Sequence, residues 1–155
     1  MSTKITRNIL IFLLFFLAIG AIGGGGVLIV SPSGEMIGLP IAILKSSPFN
    51  SFLIPGIILL VVLGLLPFVV GFGLLKRPAS RLAEQFNFFR DMHWAWTYSI
   101  YVSIALIIWL QTEMFFIQRV SWLHNFYIGL ALAIVFLALT PKVRRLYAKE
   151  KRTEK

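Results

Sequence analysis

Glu113 and His124 are the one acid and the one base that fall inside the apolar body of this 155-residue chain. A carboxylate and an imidazole can exchange a proton, hold a polar ligand or act as general acid and base. Close to them in sequence stand Gln111 and Asn125, whose amides both donate and accept hydrogen bonds. The surrounding residues do not extend this set into an enzyme. There is no HExxH, no GxSxG, no pair of intramembrane aspartates, and no phosphate-binding glycine loop followed by lysine. The chain has no cysteine, which removes disulfides, thiol redox chemistry and thiolate zinc sites. No catalytic residue, metal site or cofactor is therefore assigned, and the polar set is read as a binding site.

The elements that must position these residues are membrane spans. Hydrophobic residues make up 58% and charged residues 14% of the chain, against roughly 45 to 50% apolar in soluble domains. Four apolar runs, about residues 9–30, 50–75, 93–118 and 122–140, each approach or exceed the roughly 20 residues that cross a bilayer core. The fold class expected is all-α: a polytopic four-helix transmembrane bundle forming one domain over residues 1–155. The net charge of +9 would suggest nucleic acid in a soluble protein, but the basic residues sit at the ends of the spans, and no nucleic-acid partner is expected. Lys4 and Arg7 precede span one. Lys76, Arg77, Arg81 and Arg90 lie between spans two and three, and a basic tail, residues 141–155, follows span four. The other two connections hold only Lys45 and Arg119. The positive-inside bias predicts a multi-pass protein of the cell membrane with both termini in the cytoplasm, its tail drawn to anionic lipids of the bilayer. Span one also fits a secretory signal peptide, with Ala21-Ile22-Gly23 as its cleavage site, although the apolar run continues through Val30.

Span one contains four consecutive glycines, Gly23 to Gly26, and Gly20 and Gly24 form a GxxxG pair. Helices in lipid associate through close backbone approach at small residues, so this turn requires a neighbour. It is either a tight helix crossing or the wall of a cavity. After it, SPSG at Ser31 to Gly34 suits a turn. Met36 to Leu44 is apolar but too short to span, which predicts an outer re-entrant or interfacial helix. Ser46 and Ser47 before Pro48 read as a helix start, and Pro55 and Pro67 as kinks in span two. On the inner side, Leu82, Phe86 and Phe89 recur at helical spacing, predicting an amphipathic helix on the leaflet, either continuous with span three or bent near Asp91 or His93. His93, beside Trp94 and Trp96, reads as a solvated interfacial residue.

Measured from Trp94, Glu113 lies about 28 Å along its helix, and measured from Ile9 the glycine turn lies about 21 to 26 Å along its own. Both fall toward the outer surface. The candidate binding residues are thus Gln111, Glu113, His124 and Asn125, with Gly24 and Gly25 as one wall. The plainer reading is that Glu113 reaches headgroups and the glycines let helices touch.

The phrases SPSGEMIGLP, SPFNSFLIPGIIL, WLQTE and SWLHNFYIGLAL resemble those of a group of small four-span bacterial membrane proteins, over roughly residues 20–140. That resemblance implies a four-helix membrane fold and no activity. Two functions are expected from the residues. The first is a non-enzymatic accessory or structural protein that assembles through small-residue helix faces, with itself or with a membrane-protein partner. The alternative is a small transporter or ligand-binding protein with an outward-facing polar pocket around Glu113. The middles of spans one and two carry no ionisable residue, which favours the first.

Overall fold

The computed structural model describes residues 2–118 and 120–149. Arg119 and the charges Glu150, Lys151, Arg152, Glu154 and Lys155 lie outside the described residues. The fold is all-helical, and four of its helices are long and apolar enough to cross a membrane.

Helix α1, Thr3–Val30, begins where the Ser2 side chain accepts the Ile5 N–H, and its 28 residues extend about 42 Å. It ends at Ser31, whose N–H bonds the Val27 carbonyl. A turn through Gly34 follows. Gly34 adopts φ +80°, and a Cβ there would stand 2.4 Å from the Leu39 carbonyl oxygen, so only glycine fits. Two short 3-10 segments, Glu35–Ile37 and Ile41–Ser46, complete the connection. Leu28, Leu44 and Phe52 form a small separate core beneath it.

Helix α2 runs from Leu53 to Lys76. Residues 48–52 are not helical. Ser47 is the C-cap of the preceding 3-10 segment: its hydroxyl donates to the Leu44 carbonyl at 2.9 Å and accepts the Phe49 N–H at 3.2 Å. A serine that could open a helix here closes one. Pro55 falls in the first turn of α2, where no N–H is required. Pro67 lies deep inside, and the backbone before it widens into a π-helix, Leu59–Leu65, with the Leu66 N–H reaching back to the Val61 carbonyl.

Arg77 ends α2 in the left-handed conformation at φ 51°. Ser80 caps α3, which is only Arg81–Gln85. The amphipathic helix expected to continue past Phe89 stops there because Asn87 is turned into the fold. Its amide donates to the Met92 carbonyl at 2.8 Å and to Glu84 at 3.0 Å, and its oxygen accepts the Thr97 hydroxyl at 2.6 Å. The link is therefore a separate structure and not an extension of the next helix. His93 is the N-cap of α4, Trp94–Ile117, accepting the Ala95 N–H through Nδ1. It is half-buried, contrary to the solvated role expected.

Helix α5, Trp122–Leu139, returns antiparallel to α4, and α6, Pro141–Tyr147, folds back beneath the bundle. The chain after span four is thus not a free tail at its start. Val143 and Tyr147 are 0% and 2% exposed, the Tyr147 hydroxyl donates to the Leu74 carbonyl at 2.7 Å, and Met92 pairs with Ala148 in a β-bridge. The four long helices pack in the cyclic order α1, α2, α4, α5. Their principal core runs from the end nearer the termini, at Leu74, Trp94 and Val143, past the middle of the bundle to Ala21, Leu63 and Leu110. We call the end nearer the termini the terminal end, and the other the distal end.

Candidate functional site

At the distal end α5 opens on Ser121, whose side chain accepts the Leu123 N–H, while His124 Nδ1 accepts the Ser121 N–H at 2.9 Å in a reciprocal capping box. Because Nδ1 is the acceptor, the neutral ring carries its proton on Nε2. That nitrogen faces Glu113 Oε2 across 3.9 Å, which is too long for a hydrogen bond. His124 is 8% exposed, and the Glu113 side chain 36%. The pair ties the end of α4 to the start of α5. Its histidine is already engaged in a cap, and the hydroxyl beside it, that of Ser121, accepts the Leu123 N–H in the same cap.

The remaining candidates are not drawn into that pair. Gln111 and Asn125 are exposed. Gly25 faces the α2 backbone: a Cβ there would lie 2.8 Å from both the Gly56 oxygen and the Leu60 nitrogen. Gly24 is in ordinary contact with Leu59 at 3.5 Å, and Gly23 and Gly26 meet nothing within 4 Å. The glycine turn is thus a crossing on one face and bare on others. Gly64 continues the crossing against Ile22, and Gly71 against Phe15.

Among the open grooves on the surface are three that Gly24, Gly25, Gln111, Glu113 and His124 do not line. One, of about 540 Å³, runs between α1 and α5. Phe12, Leu13 and Phe16 form one wall, and Asn125, Phe126, Gly129, Leu130 and Ala133 the other. Asn125, Gly129 and Ala133 succeed one another at i, i+4 and i+8, which puts them on one helix face. Gly129 is exposed, with open space over its Cα. A second groove lies at the terminal end among Arg77, Arg81, Glu84, Arg90, His93 and Lys149, and a third follows Leu132, Phe136 and Pro141.

At the terminal end the sequence pattern shows an interface but not the contacts its tryptophans make. There the Trp94 indole donates to the Pro78 carbonyl and the Trp96 indole to the Ala138 carbonyl, each at 2.8 Å. Lys149 Nζ stands 2.6 Å from Glu84 Oε2. Burial pushes the Glu84 carboxyl up, but the Lys149 and Asn87 hydrogen bonds and the Lys149 charge outweigh it and hold the group below its ordinary value. Burial lowers the His93 imidazole, against the nearby Pro78 carbonyl, which favours the protonated ring. That carbonyl already serves Trp94, and His93 Nε2 is buried without a hydrogen bond among the described residues. The lone Asn87 in an amphipathic stretch was the available signal.

No protein family, curated protein or solved structure matches this chain.

Proposed function

We propose that this is a non-enzymatic accessory protein of the cell membrane that assembles, with a second copy or another membrane protein, through the groove between α1 and α5. The observation that carries the reading is the line Asn125, Gly129, Ala133 on an exposed face of α5, opposite Phe12 and Phe16. Within lipid a groove of small residues gives another helix close backbone approach, and an amide at its end gives that helix a hydrogen bond. Gly25, Gly56, Gly64 and Gly71 have their neighbours inside the bundle, whereas Gly129 has none.

Both termini and the link through α3 lie on the cytoplasmic side in this reading, with the 3-10 connection at the outer surface and the basic chain end against anionic headgroups. A small transporter with an outward-facing pocket draws on Glu113 and His124, but His124 is engaged in the α5 cap and Gly25 is packed against backbone. That favours assembly over transport.

The test is Gly129→Leu, which fills the groove without touching the core. Sedimentation of the detergent-solubilised protein is expected to show the wild type as a complex and the variant as a monomer. An unchanged mass distribution would remove the groove from the account.

A further inference from the structure

We infer that the pocket at the terminal end binds the phosphate of an anionic lipid headgroup. It is an open pocket of about 620 Å³. Four cations line it, Arg77, Arg81, Arg90 and Lys149, against one carboxylate, Glu84. Glu84 is already taken by Lys149 and Asn87. Among the described residues none of the three guanidiniums has a carboxylate within 4.0 Å. Like charges brought together repel, and a bound anion relieves that repulsion.

The cations come from four separate stretches, and two of them are anchored. Arg77 is held in the left-handed region at φ 51°, and its guanidinium lies 4.8 Å from the centre of the Tyr147 ring, which is itself 2% exposed. Lys149 is fixed through its backbone, which donates to the Asp91 carbonyl at 2.8 Å, and its Nζ also donates to the Arg90 carbonyl at 3.1 Å. Guanidinium forks match phosphate oxygens, and Ser80 adds a hydroxyl at the wall. A phosphomonoester, carrying about −1.5 to −2 at neutral pH, suits such a pocket better than a zwitterionic headgroup.

The phosphate is assigned to a lipid because the pocket lies where the apolar runs of α2 and α4 end, at Lys76 and Trp94. Leu82 and Phe86 beside it are 70% and 68% exposed, offering an apolar rim that a soluble anion does not need.

The experiment uses the full chain in detergent with short-chain phosphatidic acid, short-chain phosphatidylcholine or inorganic phosphate, read by native mass spectrometry and thermal unfolding. Phosphatidic acid is expected to remain as one bound molecule and raise the unfolding temperature, and phosphatidylcholine to do neither. The double variant Arg77→Gln, Arg81→Gln is expected to lose about tenfold or more in affinity. The variant Arg144→Gln, Arg145→Gln removes the same charge from α6 outside the pocket and is expected to retain binding. Equal loss in both variants would overturn the pocket in favour of diffuse attraction. Equal stabilisation by phosphatidylcholine, or by inorganic phosphate alone, would overturn the lipid phosphate assignment. If the Arg77 variant does not fold, Arg90→Gln on the exposed link carries the same comparison.

Discussion

Gly25 and Gly23 stand two positions apart on α1 and meet opposite surroundings. A methyl group at Gly25 would press on Gly56 and Leu60 backbone atoms that cannot yield cheaply, whereas one at Gly23 meets open space. Gly25→Ala is expected to cost about 1–3 kcal/mol as overpacking. Gly23→Ala is expected to be neutral or to gain up to about 1 kcal/mol from helix propensity. Thermal unfolding of the two variants in one detergent checks the contrast, and equal effects would deny the crossing. The sequence shows that such a turn needs a neighbour. It does not show which glycine meets it, because four in a row bare every face and the position of Gly56 makes the choice.

A second prediction at this scale concerns acid. Glu84 and His93 are both held below their ordinary values of 4.5 and 6.5. In each case the unfolded chain binds the proton more readily, so the stabilising contribution is complete above the ordinary value and is lost as pH falls through the folded one. Acidification below about pH 6.5 is expected to weaken the terminal end progressively, His93 acting first and Glu84 near and below pH 4.5. Tryptophan fluorescence, with Trp94 and Trp96 at that end, reports the change. Greater stability of that end in acid would contradict the sign.

Among the elements, the link between α2 and α4 departs most from its sequence pattern. Leu82, Phe86 and Phe89 carry a helical period, yet the helix ends at Gln85 because Asn87 donates its amide N–H groups to Met92 and Glu84 and accepts the Thr97 hydroxyl. Local periodicity lost to a polar contact with Thr97, ten residues away, which a window on the sequence does not contain. Asn87→Leu would leave the buried Thr97 hydroxyl and Met92 carbonyl without this partner, at about 1–3 kcal/mol. Hydrogen exchange of residues 86–93 is expected to rise in that variant; unchanged protection would mean that Asn87 does not hold the link. The start of the tail was hidden for a similar reason, since the buried positions Val143 and Tyr147 are too few to reveal that a basic segment docks on the bundle. The long apolar helices were legible because length and hydropathy are local properties.

For the whole molecule, the sorting of basic residues predicts topology. With no native cysteine in the chain, Ser33→Cys is expected to react with an impermeant reagent applied outside intact cells, and Ala79→Cys only after permeabilisation. The reverse pattern would invert the protein. Of the candidate site, the nearness of Glu113 to His124 could be anticipated from depth along the two helices, but the capping role of His124 could not, because it depends on the Ser121 N–H at the helix start. Asn125 proved to belong to a different surface, the α1–α5 groove, and it is there that the account places assembly.

That central claim is tested most directly by disulfide crosslinking in native membranes. Ala133→Cys puts a thiol in the groove, and Val61→Cys puts one on the exposed face of α2, across the bundle from α5. Oxidation is expected to convert the Ala133→Cys protein to a covalent dimer, or a bifunctional thiol reagent to link it to one discrete partner, while Val61→Cys gives neither. Equal crosslinking at both positions, or none at Ala133→Cys with either reagent, would contradict assembly through the α1–α5 groove.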